Sequence, residues 1–151
     1  MEDDYTIGLD LGTTFSCIGI YRNGGMEIIP NSFGEKIIQS IVVFKDNEIL
    51  VGEDTTDVLV KQYSNCIYEV KRLLGLDYKK EESKKNFWKL AFKIVKSDKN
   101  NSVNIELEKE IEIEINGKKE KKKLFSPVEI YSFIIKKMIH NAENYLDIVQ
   151  H

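Results

Sequence analysis

The sequence predicts an α/β fold, and three stretches of the chain carry that prediction. It opens with short apolar segments separated by turn residues, continues through a stretch of alternating apolar and charged residues, and closes with an amphipathic helix. The chain has 151 residues, of which 42% are hydrophobic and 31% are charged. A chain of this length and composition can bury a substantial core.

The opening segments predict an antiparallel meander of three strands. Tyr5–Leu9, Ser16–Tyr21 and Met26–Ile29 are rich in apolar residues, and Asn23-Gly24-Gly25 separates the second from the third. An Asn-Gly pair between two apolar runs is a strong hairpin signal. The connection between the first two strands is short and polar, and it runs through Asp10-Leu11-Gly12-Thr13-Thr14.

The middle of the chain predicts a mixture of short strands and short helices. The predicted elements are, in order, strands Ile41–Phe44 and Ile49–Val51, helices Glu53–Tyr63, Tyr68–Leu74 and Lys79–Phe87, and strand Ala91–Lys96. Gly75 provides the stop signal for the helix Tyr68–Leu74.

Residues 105–115 alternate between apolar and charged types, which predicts one half-buried strand or two short strands that meet at Lys109. Asn116-Gly117 then predicts a hairpin, and a lysine-rich run follows. A two-residue turn pairs acidic with basic residues on the solvent face, so we favour charge pairing over a basic recognition patch. The expected pairs are Glu114 with Lys119, Glu112 with Lys121, and Glu110 with Lys123.

The final element is a predicted helix with a clear beginning. Ser126 is placed as the N-cap, Pro127 occupies the first helical position, and Glu129 can close a capping box. The apolar residues that follow at helical spacing are Tyr131, Ile134, Ile135, Met138, Ala142, Tyr145 and Leu146. We expect this face to pack on the opening sheet.

Composition argues against several functional classes. A net charge of −3 does not favour nucleic-acid binding, and no run of residues approaches the length of a membrane span. Cys17 and Cys66 are interpreted as reduced thiols, and neither His140 nor His151 has the spacing of a zinc or triad residue. The acidic start lacks a secretory signal, so the expected location is the cytoplasm.

The opening turn has the composition of a phosphate site. Gly12 lets a ligand approach the main chain closely, and successive amides in such a turn can bind an anion. The hydroxyls of Thr13 and Thr14 can reach phosphate oxygens, while Asp10 would repel phosphate unless a cation such as Mg²⁺ lay between them. A tight turn in which Asp and Thr bond their own backbone explains the pentapeptide equally well, so both interpretations stay open at this point.

Four stretches in order along the chain resemble the seventy-kilodalton heat-shock chaperones, the DnaK-like family. They are IGLDLGTTFSCIGIYRNGGMEIIPNSFGE, ILVGEDTTDVLVKQYSNCIYEVKRLLG, FKIVKSD and LFSPVEIYSFIIKKMIHNAENYL. The resemblance implies an actin-like, ribonuclease H-like first lobe that is incomplete and carries an inserted smaller subdomain. By that resemblance, residues 1–38 form the first subdomain, 39–115 the smaller one, and 116–151 return to the first.

The resemblance also implies roles for individual residues. Gly12, Thr13, Thr14 and Phe15 would line the nucleotide phosphates, and Asp10 would hold the metal through water. Lys71, in Val70-Lys71-Arg72-Leu73-Leu74-Gly75, matches the catalytic lysine of the family. The implied cofactors are ATP or ADP and Mg²⁺, with K⁺ as an option. The implied partners are J-domain proteins, nucleotide exchange factors and unfolded polypeptides, through parts of the family's chain that are absent here.

The sequence departs from the family pattern in several places. Phe15 replaces the usual tyrosine, and Ile38-Gln39-Ser40 lacks the usual proline, so we expect a looser loop there. The stretch Asn100–Lys123 looks longer than usual, which suggests an extended hairpin. The second phosphate loop, the second lobe and the peptide-binding domain have no counterpart in this sequence. We therefore expect weak nucleotide binding and little turnover from this chain alone.

Three functional hypotheses follow from these observations. The first is the N-terminal part of a chaperone ATPase, which carries the first phosphate motif and the candidate catalytic lysine. The second is a non-catalytic, chaperone-like interaction module. The third is part of another actin-like ATPase or of a sugar kinase. Because Asp10, Thr13, Thr14 and Lys71 are all present, the first is favoured, although whether this chain is itself an enzyme stays open.

Overall fold

The computed structural model describes residues 6–55, 65–115 and 117–150, and the mixed α/β fold that the sequence predicts is confirmed. The strands are β1 (Thr6–Leu11), β2 (Phe15–Arg22), β3 (Gly25–Ile28), β4 (Ile38–Gln39), β5 (Val42–Lys45), β6 (Glu48–Val51), β7 (Cys66–Ile67), β8 (Lys93–Lys96), β9 (Val103–Ile115) and β10 (Lys118–Phe125). The helices are α1 (Glu81–Phe87) and α2 (Pro127–Gln150), with 3₁₀ helices at Gly52–Thr55 and Val70–Leu73.

The opening sheet is the predicted antiparallel meander. β1 pairs with β2, and β2 pairs with β3, so the order of the strands follows the chain. The expectation of a loose loop around Ile38-Gln39-Ser40 is wrong. Ile38 and Gln39 form β4, which pairs with the start of β2, and Ile38 and Ser40 are buried. Backbone hydrogen bonds and the burial of Ile38 hold this segment in place without a proline.

A second sheet, with the order β6-β5-β7, lies next in the chain. The predicted hairpin of β5 and β6 is confirmed, and Asp46 adopts a left-handed conformation (φ 52°) in its turn. Val42, Val43 and Phe44 are all buried, which is typical of a strand covered on both faces. The predicted helix Glu53–Tyr63 begins in the 3₁₀ helix, and the rest of it lies outside the described residues.

The predicted helix Tyr68–Leu74 is wrong, because the structure has only a single 3₁₀ turn there. Glu69 is left-handed (φ 52°, ψ 26°) and Leu74 is extended (φ −63°, ψ 128°), so neither end of the turn can continue as a helix. Val70 and Leu73 are buried and anchor the turn on the core. The predicted helix Lys79–Phe87 is confirmed as α1, which begins two residues later. The predicted strand Ala91–Lys96 is confirmed as β8, which also begins two residues later.

The alternating segment forms the predicted hairpin of β9 and β10. Glu114 lies opposite Lys119, and Glu112 lies opposite Lys121, as expected. The third expected pair is wrong, because the register shifts between Lys122 and Leu124. Ile111 pairs with Lys122 and Glu106 pairs with Leu124, so residues 107–110 bulge opposite a single residue. β9 nevertheless runs as one continuous strand, Val103–Ile115, so the interpretation of a single strand is confirmed and that of two strands meeting at Lys109 is wrong.

The closing helix α2 begins with the predicted capping box. The Glu129 amide donates to Ser126 Oγ (3.2 Å), and the Ser126 amide donates to Glu129 Oε2 (2.8 Å). The helix packs on β2 as expected, and it also contacts β5, β6, β9 and the 3₁₀ helix Val70–Leu73. The fully buried side chains of this shared core include Ile18, Ile20, Phe44, Ile105, Phe125, Ile130, Ile134 and Met138.

Both cysteines are free thiols, as predicted. Cys66 is buried and Cys17 is half-buried, and burial raises the pKa of the Cys66 thiol. Among the helices of the described ranges, none has the length and apolar content that a membrane crossing requires.

Candidate phosphate-binding turn

The candidate site is the tight connection between β1 and β2. The two strands remain paired as far as Leu11 and Ser16, so the chain reverses over Gly12, Thr13, Thr14 and Phe15. Gly12 has no room for a side chain, because a Cβ atom there would lie 2.0 Å from the carbonyl oxygen of Phe15. The tight reversal therefore requires glycine at this position.

The residues predicted to contact phosphate are accessible. Thr14 is exposed, Gly12 and Thr13 are half-buried, and the Phe15 ring is 49% exposed. Within the described part of the chain, neither threonine hydroxyl forms a hydrogen bond, so both are free to bind a ligand. This arrangement does not show the self-bonded turn that was the competing interpretation of the pentapeptide.

Lys71 lies at this turn although it is 60 residues away in sequence. Its Nζ donates a hydrogen bond to the carbonyl oxygen of Leu11 at 2.8 Å. The 3₁₀ helix that carries Lys71 is fixed by the buried side chains of Val70 and Leu73, and Lys71 itself is exposed. The ammonium group has three protons, so it can keep this bond and still donate to a ligand.

Asp10 occupies the position before Leu11 in β1, opposite Cys17, and its side chain is exposed. Across residues 6–55, 65–115 and 117–150, no three His, Cys, Asp or Glu side chains are grouped so that they could hold a metal ion. Asp10 therefore offers one exposed carboxylate that belongs to no such group of three among the described residues. Such a donor suits Mg²⁺, which keeps several waters and commonly uses one or two carboxylates together with substrate phosphates.

Three residues fix the turn from the protein side, and the sequence alone did not indicate this role for any of them. Tyr131 Oη donates to the Gly12 carbonyl oxygen (2.9 Å), and Ser40 Oγ donates to the same oxygen (3.1 Å). Ser16 Oγ lies 2.9 Å from Ser40 Oγ, and the Ser40 amide donates to the Thr14 carbonyl at 2.8 Å. No local pattern singles out these residues, because they meet only after β4 and α2 have packed.

The environment of Tyr131 keeps its hydroxyl protonated. Burial raises the pKa of Tyr131, and the negative charge of Asp10 raises it further, against the opposing effect of a hydrogen bond with Ser16. A protonated hydroxyl is the donor that the Gly12 carbonyl requires.

The fold and the turn together define a lobe of the actin-like ATPase class. A sequence model of the family described as "Hsp70 protein" matches residues 6–150. The chain belongs to this family, and the residues it matches lie in the N-terminal part of the nucleotide-binding domain. The hypothesis of a different actin-like ATPase or a sugar kinase is therefore wrong.

Individual relatives agree with the family match. The chain is 34% identical over 140 residues to "Heat shock 70 kDa protein 2" of Paracoccidioides lutzii. The aligned residues make up 93% of this chain and 20% of the relative. It is 33% identical over 141 residues to "Heat shock cognate 70 kDa protein 3" of Dictyostelium discoideum. That alignment includes 93% of this chain and 21% of the relative. The chain thus spans about a fifth of the length of these curated relatives.

Proposed function

We propose that this chain carries the first phosphate site of a chaperone ATPase and binds the phosphates of Mg-ATP at the β1–β2 turn. The observation that carries the proposal is the 2.8 Å hydrogen bond between Lys71 and the Leu11 carbonyl, which brings a cation to the glycine turn from 60 residues away. Lys71 is exposed, so its remaining N–H groups can also reach a ligand at the turn. The family membership of the chain supports the same function.

Each residue of the turn has a distinct part in this proposal. The backbone around Gly12 and the hydroxyls of Thr13 and Thr14 bind phosphate oxygens, and the exposed Phe15 ring borders them. Asp10 would hold the hydrated Mg²⁺ through water. Bound Mg²⁺ supplies charge neutralisation of the phosphates.

Lys71 supplies the positive charge for hydrolysis. In ATP hydrolysis a water oxygen forms a bond to the γ-phosphorus, and the bond from that phosphorus to the bridging oxygen breaks, so that the bridging oxygen leaves with ADP. The attacking water loses its proton to solvent, and negative charge spreads over the transferring group in the transition state. The Nζ of Lys71 stabilises that charge and helps to orient the water. We expect weak binding and little turnover from this chain alone, because it spans about a fifth of the length of its chaperone relatives.

Calorimetric titration with ATP, with and without Mg²⁺, tests the proposal. We expect Mg²⁺-dependent binding that is lost in Asp10→Ala and weakened in Lys71→Ala. Lys84→Ala and Asp98→Ala are matched controls, because Lys84 pairs with Glu81 on α1 and Asp98 lies in the exposed turn after β8. If the folded wild-type chain shows no Mg²⁺-dependent binding, the proposal is wrong, and a non-catalytic interaction module becomes the better hypothesis.

A further inference from the structure

The Gly12 carbonyl oxygen accepts hydrogen bonds from two side chains that belong to different parts of the fold. Tyr131 reaches it from α2, 119 residues further along the chain, and Ser40 reaches it from the end of β4, 28 residues along. We propose that Tyr131 is a positioning residue that sets the direction of the turn's amide groups toward phosphate. This inference rests on the proposed function and adds to it a residue outside the phosphate motif.

The planarity of the peptide bond connects the carbonyl to the ligand side. The Gly12 carbonyl and the Thr13 N–H belong to one trans peptide unit, so they point in opposite directions. When Tyr131 and Ser40 hold the carbonyl oxygen on the protein side, the Thr13 N–H points away from the protein. The hydroxyl of Tyr131 therefore controls an amide that it does not touch.

The neighbouring peptide units are held in the same way. Lys71 Nζ donates to the Leu11 carbonyl, and the Ser40 amide donates to the Thr14 carbonyl. By the same geometry, the amides that follow these carbonyls are turned away from their donors. The Gly12 and Thr14 carbonyls are tied from the protein side, so the Thr13 and Phe15 amides are oriented away from the protein before any ligand arrives. The Gly12 amide points away from Lys71 and is not part of this set. Preorganised amides bind an anion without the cost of ordering them.

Tyr131 is better suited than Ser40 to act as the fixed member of this pair. Its ring is 7% exposed and is packed in the core, so its hydroxyl has little freedom to move. Ser40 Oγ is also engaged with Ser16 Oγ, and it can rotate between two partners. Loss of the Tyr131 hydroxyl would leave the Gly12 carbonyl with only the shared serine donor.

The experiment compares Tyr131→Phe with Tyr145→Phe. Both substitutions remove one phenolic hydroxyl from α2, but Tyr145 donates to Glu27 and not to the turn. The first readout is the amide signal and the hydrogen-exchange rate of Thr13 in the ligand-free protein, measured by NMR with ¹⁵N-threonine labelling. The second readout is the affinity for Mg-ATP, measured by calorimetry. Tyr131→Phe/Ser40→Ala removes both donors and serves as the strongest perturbation.

We expect Tyr131→Phe to shift the Thr13 amide signal, speed its exchange and weaken Mg-ATP binding about three- to tenfold, the effect of one lost hydrogen bond. The double variant should lose more, and Tyr145→Phe should change neither readout. An unchanged Thr13 amide in the folded double variant overturns the positioning role. If wild type binds Mg-ATP, an equal affinity of the double variant also overturns it.

The two readouts separate this inference from the proposed function. If wild type binds no Mg-ATP but the Thr13 amide still responds to Tyr131→Phe alone, the positioning role is supported and the proposed function fails. If Mg-ATP binds and both tyrosine variants weaken it equally, the effect comes from the stability of α2, and the positioning role is wrong.

Discussion

The β1–β2 hairpin and the β9–β10 hairpin reverse the chain by different means. The first turns at Gly12 and is held there by Lys71, Ser40 and Tyr131, all far away in sequence. The second turns next to Gly117, and its charged end is held within its own strands, where Lys119 Nζ lies 3.1 Å from Glu112. The first turn is therefore supported by residues outside its own hairpin, whereas the second is supported by residues within it.

The two turn glycines offer the sharpest test of this difference. We expect Gly12→Ala to cost more than about 4 kcal/mol of unfolding free energy, because the new Cβ would overlap the Phe15 carbonyl and the hairpin would have to open. Urea denaturation followed by circular dichroism measures the loss.

Gly117→Ala is the matched control in the other hairpin. Nothing lies within 4 Å of a Cβ at this position, and the only penalty is the left-handed backbone (φ 75°). That conformation costs an alanine about 1–2 kcal/mol. Equal losses in the two alanine variants would contradict the distinction between the turns.

Glu129 tests how the second hairpin is joined to α2. Burial alone would raise the pKa of Glu129, but hydrogen bonds from Lys122 and from the amide and hydroxyl of Ser126 outweigh burial and lower that pKa. We expect Glu129→Gln to cost about 0.5–1 kcal/mol at pH 7, a modest value because the side chain is 41% exposed.

The sign of the pH dependence follows from the lowered pKa. A carboxylate with a lowered pKa stabilises the folded state fully above its ordinary value of 4.5, and this contribution is lost as the pH falls through the lowered pKa. Stability measured from pH 7 down to pH 3 should therefore converge for wild type and Glu129→Gln. Glu110→Gln, in the exposed bulge of β9, is the control. A difference that stays the same from pH 7 to pH 3 would refute this assignment.

The smallest effect is expected at the charged end of the second hairpin. Glu112→Gln removes the ion pair with Lys119, which is exposed, so the loss should be at most about 0.5 kcal/mol and should disappear in 1 M salt. Denaturation at low and high salt measures it. A loss above 1 kcal/mol that survives high salt would show that the second hairpin depends on more than screened surface charge.

The sequence predicts those parts of the fold that are encoded by neighbouring residues. The capping box of Ser126 and Glu129 and the hairpin turn before Lys118 follow from local hydrogen bonding and backbone preference. The helix expected at Tyr68–Leu74 fails because Glu69 takes a left-handed conformation that its residue type does not favour. The register shift before Leu124 has no local signal either.

The candidate site also contains residues that are neighbours in the sequence and residues that only the fold brings together. Asp10, Gly12, Thr13 and Thr14 lie within five residues of each other, and their residue types fit a phosphate site and a self-bonded turn equally well. Lys71 is indicated only by the resemblance of its segment to the chaperone family. Tyr131 belongs, in the sequence, to an apolar helical face, and its hydroxyl gains a role only because α2 packs against β2.

The distant origin of the contacts to the turn has a thermodynamic consequence. Since Lys71, Ser40 and Tyr131 meet only in the folded chain, the unfolded chain offers no comparable phosphate site. A ligand that binds only the native turn stabilises every element that supports it, by about 2.7 kcal/mol at a concentration one hundred times its Kd. Nucleotide would then serve this lobe as a folding cofactor, and a rise in its melting temperature would report occupancy of the turn.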